Sequence, residues 1–217
     1  YEKDVCGIYM SGHPLDHFKF EMKYYGITPI AQYTEVKDSA TDIQLHAGKT
    51  IRLAGLVTDA AHRNTKTGRK FGIVTIEDYS GKTELALWAD DYVKYQNYFE
   101  VGKIITATGF FKLRYNSTDQ YEFKVTNMLL LESLKENMTK QIELSMEPAS
   151  LSLDFVNFAD KNIKSNPGKT ALRIHLSDPL HQLKITLANR EKGFLMNEEM
   201  ANYLLENPDV SVKVIMS

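Results

Sequence analysis

Cysteine is nearly absent: Cys6 is the only one in 217 residues. No disulfide can close within the chain, and no cysteine-based metal site can be assembled. Long apolar runs are missing as well. None approaches the roughly 20 residues that a membrane-spanning helix needs, so no membrane role is expected. A dominant charge is lacking too, with 26 Lys and Arg against 28 Asp and Glu for a net charge of −2. The chain opens Tyr-Glu-Lys-Asp, with neither a basic n-region nor an apolar h-region. A cytoplasmic protein is expected, and the opening suits a piece of something longer.

Catalytic signatures are equally scarce. No G-x-x-x-x-G-K-[ST], G-x-S-x-G or H-E-x-x-H occurs. Gly168-Lys169-Thr170 resembles the end of a phosphate loop, but the glycine five residues earlier is replaced by Ile163. Asp90-Asp91 and Glu77-Asp78 are sequence neighbours, which do not face each other on a strand or helix. The six histidines are scattered except for His13 and His17, and Pro14 between these two argues against a shared metal. The residues therefore point to a binding module with no cofactor, no metal and no catalytic group.

What is present is a run of five strand-like segments between residues 51 and 134. Ile51–Thr58 leads to a basic loop containing Arg63, Lys66, Gly68, Arg69 and Lys70. Phe71–Asp78 and Lys82–Trp88 flank the turn Tyr79-Ser80-Gly81. Ala89–Phe99 breaks the alternation and suits a short capping helix, with Tyr92, Val93, Gln96 and Phe99 as its packing residues. Lys103–Tyr115 and Gln120–Val125 complete the set around the polar turn Asn116–Asp119. This order is that of a small Greek-key barrel of OB type, whose usual ligand is single-stranded nucleic acid.

Period-2 alternation assigns faces. In the fourth strand, Ile105, Ala107, Phe111 and Leu113 face the core, while Phe110, Lys112 and Arg114 face out. In the second, Val74 and Ile76 lie opposite Phe71, Ile73 and Thr75. The candidate nucleic-acid-binding residues are thus Arg63, Lys66, Arg69, Lys70, Phe71, Phe110, Lys112 and Arg114. Aromatics stack on bases while cations track phosphates. Trp88 ends a strand and is assigned to the core in preference to a stacking platform. Residues 46–135 form the only net-basic segment, at +3, against −3 for 1–45 and −2 for 136–217.

Three regions follow: a helical lead-in over 1–45, the OB domain over 46–135, and a small α+β domain over 136–217. In the lead-in, helices are expected over Glu2–Met10 and Asp16–Tyr25, the latter ended by Gly26 and Pro29. In the last region, Gln141–Met146, Thr170–Leu176, Leu183–Leu187 and Val210–Ile215 alternate like strands. Ser152 or Asp154 caps a helix running to Lys164, and Asn197 caps Glu198–Leu205.

The segment Glu2-Lys-Asp-Val-Cys-Gly-Ile-Tyr-Met-Ser-Gly-His-Pro-Leu-Asp16 resembles one that precedes the OB domain in the alpha subunit of bacterial DNA polymerase III. Gly55–Thr58, Lys66–Gly68, Phe71 and Val74–Asp78 are similar to that OB domain, and the likeness covers about residues 1–135. It implies a parent that is a template-directed DNA polymerase whose catalytic domain and sliding-clamp motif lie upstream. This fragment would then lack polymerase activity. By position, residues 136–217 would be the family's C-terminal domain, which binds the tau subunit of the clamp loader. The OB pattern alone also fits an anticodon-binding module of a class II aminoacyl-tRNA synthetase, or a barrel used as a protein-interaction scaffold.

Overall fold

In the computed structural model, which describes residues 12–188 and 193–217, the chain folds as two units. The first comprises Gly26–Glu132 with the segment up to Met22, and the second Lys23–Tyr25 with Ser133–Ser217. The helix expected over Glu2–Met10 lies outside the described residues. A 3-10 turn at Pro14–Phe18 runs into helix α1 (Lys19–Tyr24), where one helix from Asp16 is expected. Two further helices that the lead-in does not announce follow, α2 (Ile30–Asp38) and α3 (Ala40–His46).

The first unit is organised by strand β1 (Ile51–Asn64), which serves two partners. Its first half pairs antiparallel with β4 (Ile104–Leu113), and its second half with β2 (Lys70–Glu77). The handover falls at Leu56 and Val57, beside a bulge between Val57 and Asp59 that bends the strand. Gly55 sits at this crossing because a Cβ there would lie 2.7 Å from the Glu77 carbonyl oxygen. β3 (Lys82–Trp88) pairs with β2, and β5 (Tyr121–Leu130) with β4, giving the antiparallel order β3-β2-β1-β4-β5. This is the five-stranded OB order, but the sheet is not a closed barrel. Among the described residues no ladder joins β3 to β5.

The inner face buries Leu53, Val57, Val74, Ile76, Leu85 and Leu87 with Ile105, Phe111 and Met128. Helix α4 (Ala89–Tyr95) and a 3-10 turn after it add Tyr92, Tyr95 and Phe99. Val93, expected to pack, is exposed instead, because the buried stripe runs through the aromatics on either side of it. Helix α2 starts at Pro29, which offers no side-chain cap. The β2–β3 turn supplies one: Ile30 N–H donates to Asp78 Oδ2 and Ala31 N–H to Ser80 Oγ, each at 2.9 Å. Asp78 Oδ1 also accepts from the Ser80 and Gly81 amides, closing its own turn. On the same turn, the Tyr79 hydroxyl donates to Asp16 Oδ1 at 2.8 Å, and the His13 ring lies 4.4 Å from the Tyr79 ring.

The second unit carries α5 (Leu134–Met138), β6 (Thr139–Met146), α6 (Leu153–Ser165) and a two-residue β7 (Pro167–Gly168). Then come β8 (Ala171–Asp178), β9 (Leu183–Ala188), a two-residue β10 (Gly193–Phe194), α7 (Glu198–Glu206) and β11 (Ser211–Met216). The sheet order is β11-β6-β8-β9, with β6 and β8 parallel and the other neighbours antiparallel. Ser152 caps α6 by accepting from Phe155 N–H, and Asn197 caps α7 by accepting from Met200 N–H. The inner faces of β6 and β8 bury Ile142, Leu144, Leu172 and Ile174, and the helices add Phe155, Met200 and Leu204. On the edge strand β9, Leu183, Ile185 and Leu187 share the face of Ile174 and Leu176, yet all three are 40–42% exposed.

Candidate nucleic-acid interface

The β1–β2 hairpin projects past the part of β1 that pairs with β4, and its tip is held by its own backbone. Thr65 N–H donates to the Arg69 carbonyl, Gly68 N–H to the Thr65 carbonyl, and Arg69 N–H to Thr65 Oγ1. Gly68 takes φ +79°, a left-handed conformation that favours glycine. Arg63, Lys66, Arg69 and Lys70 are exposed, and none of them pairs with a carboxylate among the described residues.

Next to this tip lies an aromatic pair. Phe71 stands directly opposite Trp88 in the β2–β3 ladder, and their rings stack at 4.5 Å with 14° between planes. Trp88 is 52% exposed, so the core position expected for it is wrong. Thr83, Leu85 and Leu87 point inward, which leaves Trp88 on the outer face with Glu84 and Ala86. Arg63 is the β1 partner of Phe71, so one row across three strands reads Arg63, Phe71, Trp88.

Trp88 also lines a cleft of about 450 Å³ between the unpaired edges of β3 and β5. Lys37, Lys112, Arg114 and Lys124 enter its wall, against Glu84, Asp91 and Glu122. Two of these carboxylates are engaged. Glu122 receives Lys112 Nζ at 3.0 Å from the directly opposite position, and Asp91 receives Lys124 Nζ. The Arg114 guanidinium meets no carboxylate among the described residues. At the cleft floor, burial pushes the Tyr33 hydroxyl well above its ordinary pKa. That ring stacks on Phe111, so it acts as a neutral wall.

The structure therefore brings Arg63, Phe71, Lys112 and Arg114 into relation through Trp88, with Lys66 and Arg69 on the adjoining loop and Lys70 on the other face of the hairpin. Phe110 is not part of this group: it is half-buried opposite Lys124 and does not line the cleft. Leu113, expected in the core, is 44% exposed because β4 runs on past the core, whose last residue on that strand is Phe111. Sequence reasoning misses Tyr115, which is 93% exposed beside Arg114 at the β4–β5 tip, and Lys37 and Lys124 in the cleft wall. The parity of Leu85 and Leu87 is the signal that would have placed Trp88 outside. Tyr115 lies in a turn, where periodicity says nothing.

The fold defines an OB module with an aromatic and cationic surface, and a second unit of α+β type. The family described as OB-fold nucleic acid binding domain matches residues 51–131. The family described as the C-terminal domain of the DNA polymerase III alpha subunit matches residues 142–215. The DNA polymerase III subunit alpha of Pseudomonas fluorescens is 22% identical over 82% of this chain, which covers 14% of that protein. That of Borreliella burgdorferi is 22% identical over 94% of this chain and 17% of that protein. That of Escherichia coli K12 is 33% identical over 50% of this chain and 9% of that protein. The chain is homologous to the C-terminal region of the DNA polymerase III alpha subunit, and it spans less than a fifth of those relatives' length. Among the described residues, no group of three or more His, Cys, Asp or Glu is placed to hold a metal ion. Nor is any helix there long and apolar enough to cross a membrane.

Proposed function

We propose that the first unit holds single-stranded DNA, as the template-binding module of a replicative polymerase, and contributes no polymerase chemistry of its own. The observation that carries this reading is the stack of half-buried Phe71 on exposed Trp88, with uncompensated cations at either end. Arg63 and the loop's Lys66 and Arg69 lie on one side, and Arg114 with the cleft on the other. Bases stacked on such a platform contribute about 1–3 kcal/mol each without regard to sequence. Flanking cations add a salt-dependent hold on the phosphates. Tyr115, beside Arg114 at the β4–β5 tip, is a further exposed stacking surface. The polymerase active site and the sliding-clamp contact would belong to the longer parent chain.

The test is a titration of Trp88 emission, with the anisotropy of a labelled oligo-dT strand and of matched duplex, at two salt concentrations. The expected outcome is quenching of Trp88 and tighter binding of the single strand, weakening with salt. Arg114→Glu and Tyr115→Ala should each cut single-strand affinity at least fivefold, in line with the loss of about 1 kcal/mol or more. Absence of binding at low salt, with the circular dichroism unchanged, would remove this role.

The second unit is proposed to dock a protein of the replisome, with the tau subunit of the clamp loader as the partner the homology suggests. The supporting observation is the row Leu183, Ile185 and Leu187 on edge strand β9, apolar and 40–42% exposed. Exposed apolar rows of this kind mark interaction surfaces. These readings take precedence over the tRNA-anticodon alternative because the second unit matches a polymerase family.

A further inference from the structure

On the opposite side of the β1–β2 hairpin from the Phe71–Trp88 stack lies an open pocket of about 210 Å³, lined by His62, Arg63, Asn64, Lys70 and Tyr92. Its wall differs in chemistry from the β3–β5 cleft, which includes Glu84, Asp91 and Glu122, whereas this one includes no carboxylate. His62, Asn64 and Lys70, which share this face of the ladder, can each donate a hydrogen bond. Lys70 carries a full charge with no carboxylate partner among the described residues, whereas the Arg63 side chain belongs to the Phe71 face of the hairpin.

The pocket is also held rigidly. Tyr92 is 5% exposed and seated on Gly72, where a Cβ would lie 2.5 Å from the tyrosine ring. The residue opposite Gly72 in the ladder is His62, whose Nδ1 lies 2.7 Å from the Tyr92 hydroxyl. With that hydroxyl donating to Nδ1, the neutral imidazole carries its proton on Nε2 and keeps a donor. The Asn64–Lys70 pair closes the hairpin immediately beyond. A carboxylate-free pocket that presents the Lys70 charge with the Asn64 and His62 donors is chemistry for a phosphate group.

We infer that this pocket is a phosphodiester subsite, taken by a backbone phosphate of the strand whose bases stack on Phe71 and Trp88. A bound strand then passes over the hairpin edge and does not lie along one face of the sheet. This inference rests on the nucleic-acid reading of the first unit, so the experiment separates the two. Oligo-dT binding by the full chain is measured against NaCl concentration for wild type, Asn64→Asp, His62→Gln and Arg114→Glu. Both pocket variants alter exposed side chains.

The expected result is a three- to tenfold loss of affinity in Asn64→Asp and a salt slope smaller by about one. His62→Gln should lose less. Both should retain the full Trp88 quench at saturation, because the platform is untouched. Wild-type affinity and slope in both pocket variants, with Arg114→Glu weakened, would overturn the subsite and leave the nucleic-acid reading standing. No binding by wild type would overturn both. A parallel titration with inorganic phosphate, followed by the His62 imidazole resonances, distinguishes the source. Millimolar phosphate that shifts those resonances, while Asn64→Asp leaves the DNA salt slope unchanged, would make this a free-anion site and overturn the strand assignment.

Discussion

At the level of single residues, side chains with two duties matter most. Tyr79 holds Asp16 by a hydroxyl donated to Oδ1, and this contact keeps the Asp16 carboxyl below its ordinary pKa. The sign follows from linkage. A group whose folded pKa is depressed contributes stability above its unfolded value, near 3.9, and loses that contribution as pH falls through the folded value. Tyr79→Phe should therefore lower the melting temperature at pH 7, and the gap to wild type should narrow below about pH 4. A gap that stays constant with pH would mean that the hydroxyl does not act through Asp16. Lys112 shows the opposite limit of reading residues alone. Its outward face is evident from alternation, but its carboxylate partner Glu122 is set by a cross-strand register that no local pattern encodes. Arg114, one alternation further along, has left the ladder with β5 and keeps its charge uncompensated.

Secondary-structure elements separate what alternation can encode from what it cannot. All five strands of the first unit were legible in the chain, because apolar residues at period 2 and turn residues such as Gly68 and Gly81 mark them. Strand β1 nevertheless runs six residues past Thr58 to Asn64, where the apolar alternation has already ended. Helices α6 and α7 were legible through Ser152 and Asn197, each placed to accept from an N-terminal amide. Helices α2 and α3 were not. Ile30, Tyr33 and Ile43 are their only buried residues, too few for a periodic stripe. Helix α2 also begins at a proline whose cap is supplied from the β2–β3 turn, 48 residues away. That long-range cap gives a direct prediction. Asp78→Ala removes the acceptor for Ile30, Ser80 and Gly81 amides at once, and should cost about 1–2 kcal/mol in urea unfolding. A loss no greater than that of Ser80→Ala would show that the turn closes without the carboxylate.

Across the whole molecule, the two candidate surfaces belong to different units and draw on different physics. One is an aromatic platform with cations, the other an apolar row on an edge strand. Their roles should be separable by mutation. Ile185→Asp should weaken capture of the tau subunit at least tenfold and leave oligo-dT affinity unchanged, while Arg114→Glu should do the reverse. Surface plasmon resonance with both ligands reads this in one series, and loss of both activities in either variant would indicate a shared surface.

The seam between β3 and β5 has one more consequence. Among the described residues each strand is paired along one side only, so amide and carbonyl groups along the other side border the cleft. Main-chain groups carry no side-chain identity, and the most a point substitution removes is one amide hydrogen, by proline, while the carbonyl stays. Whatever share of recognition they supply is hidden from alanine scanning. It would survive sequence drift in the lining residues, so related chains could keep the grip while exchanging the side chains around it.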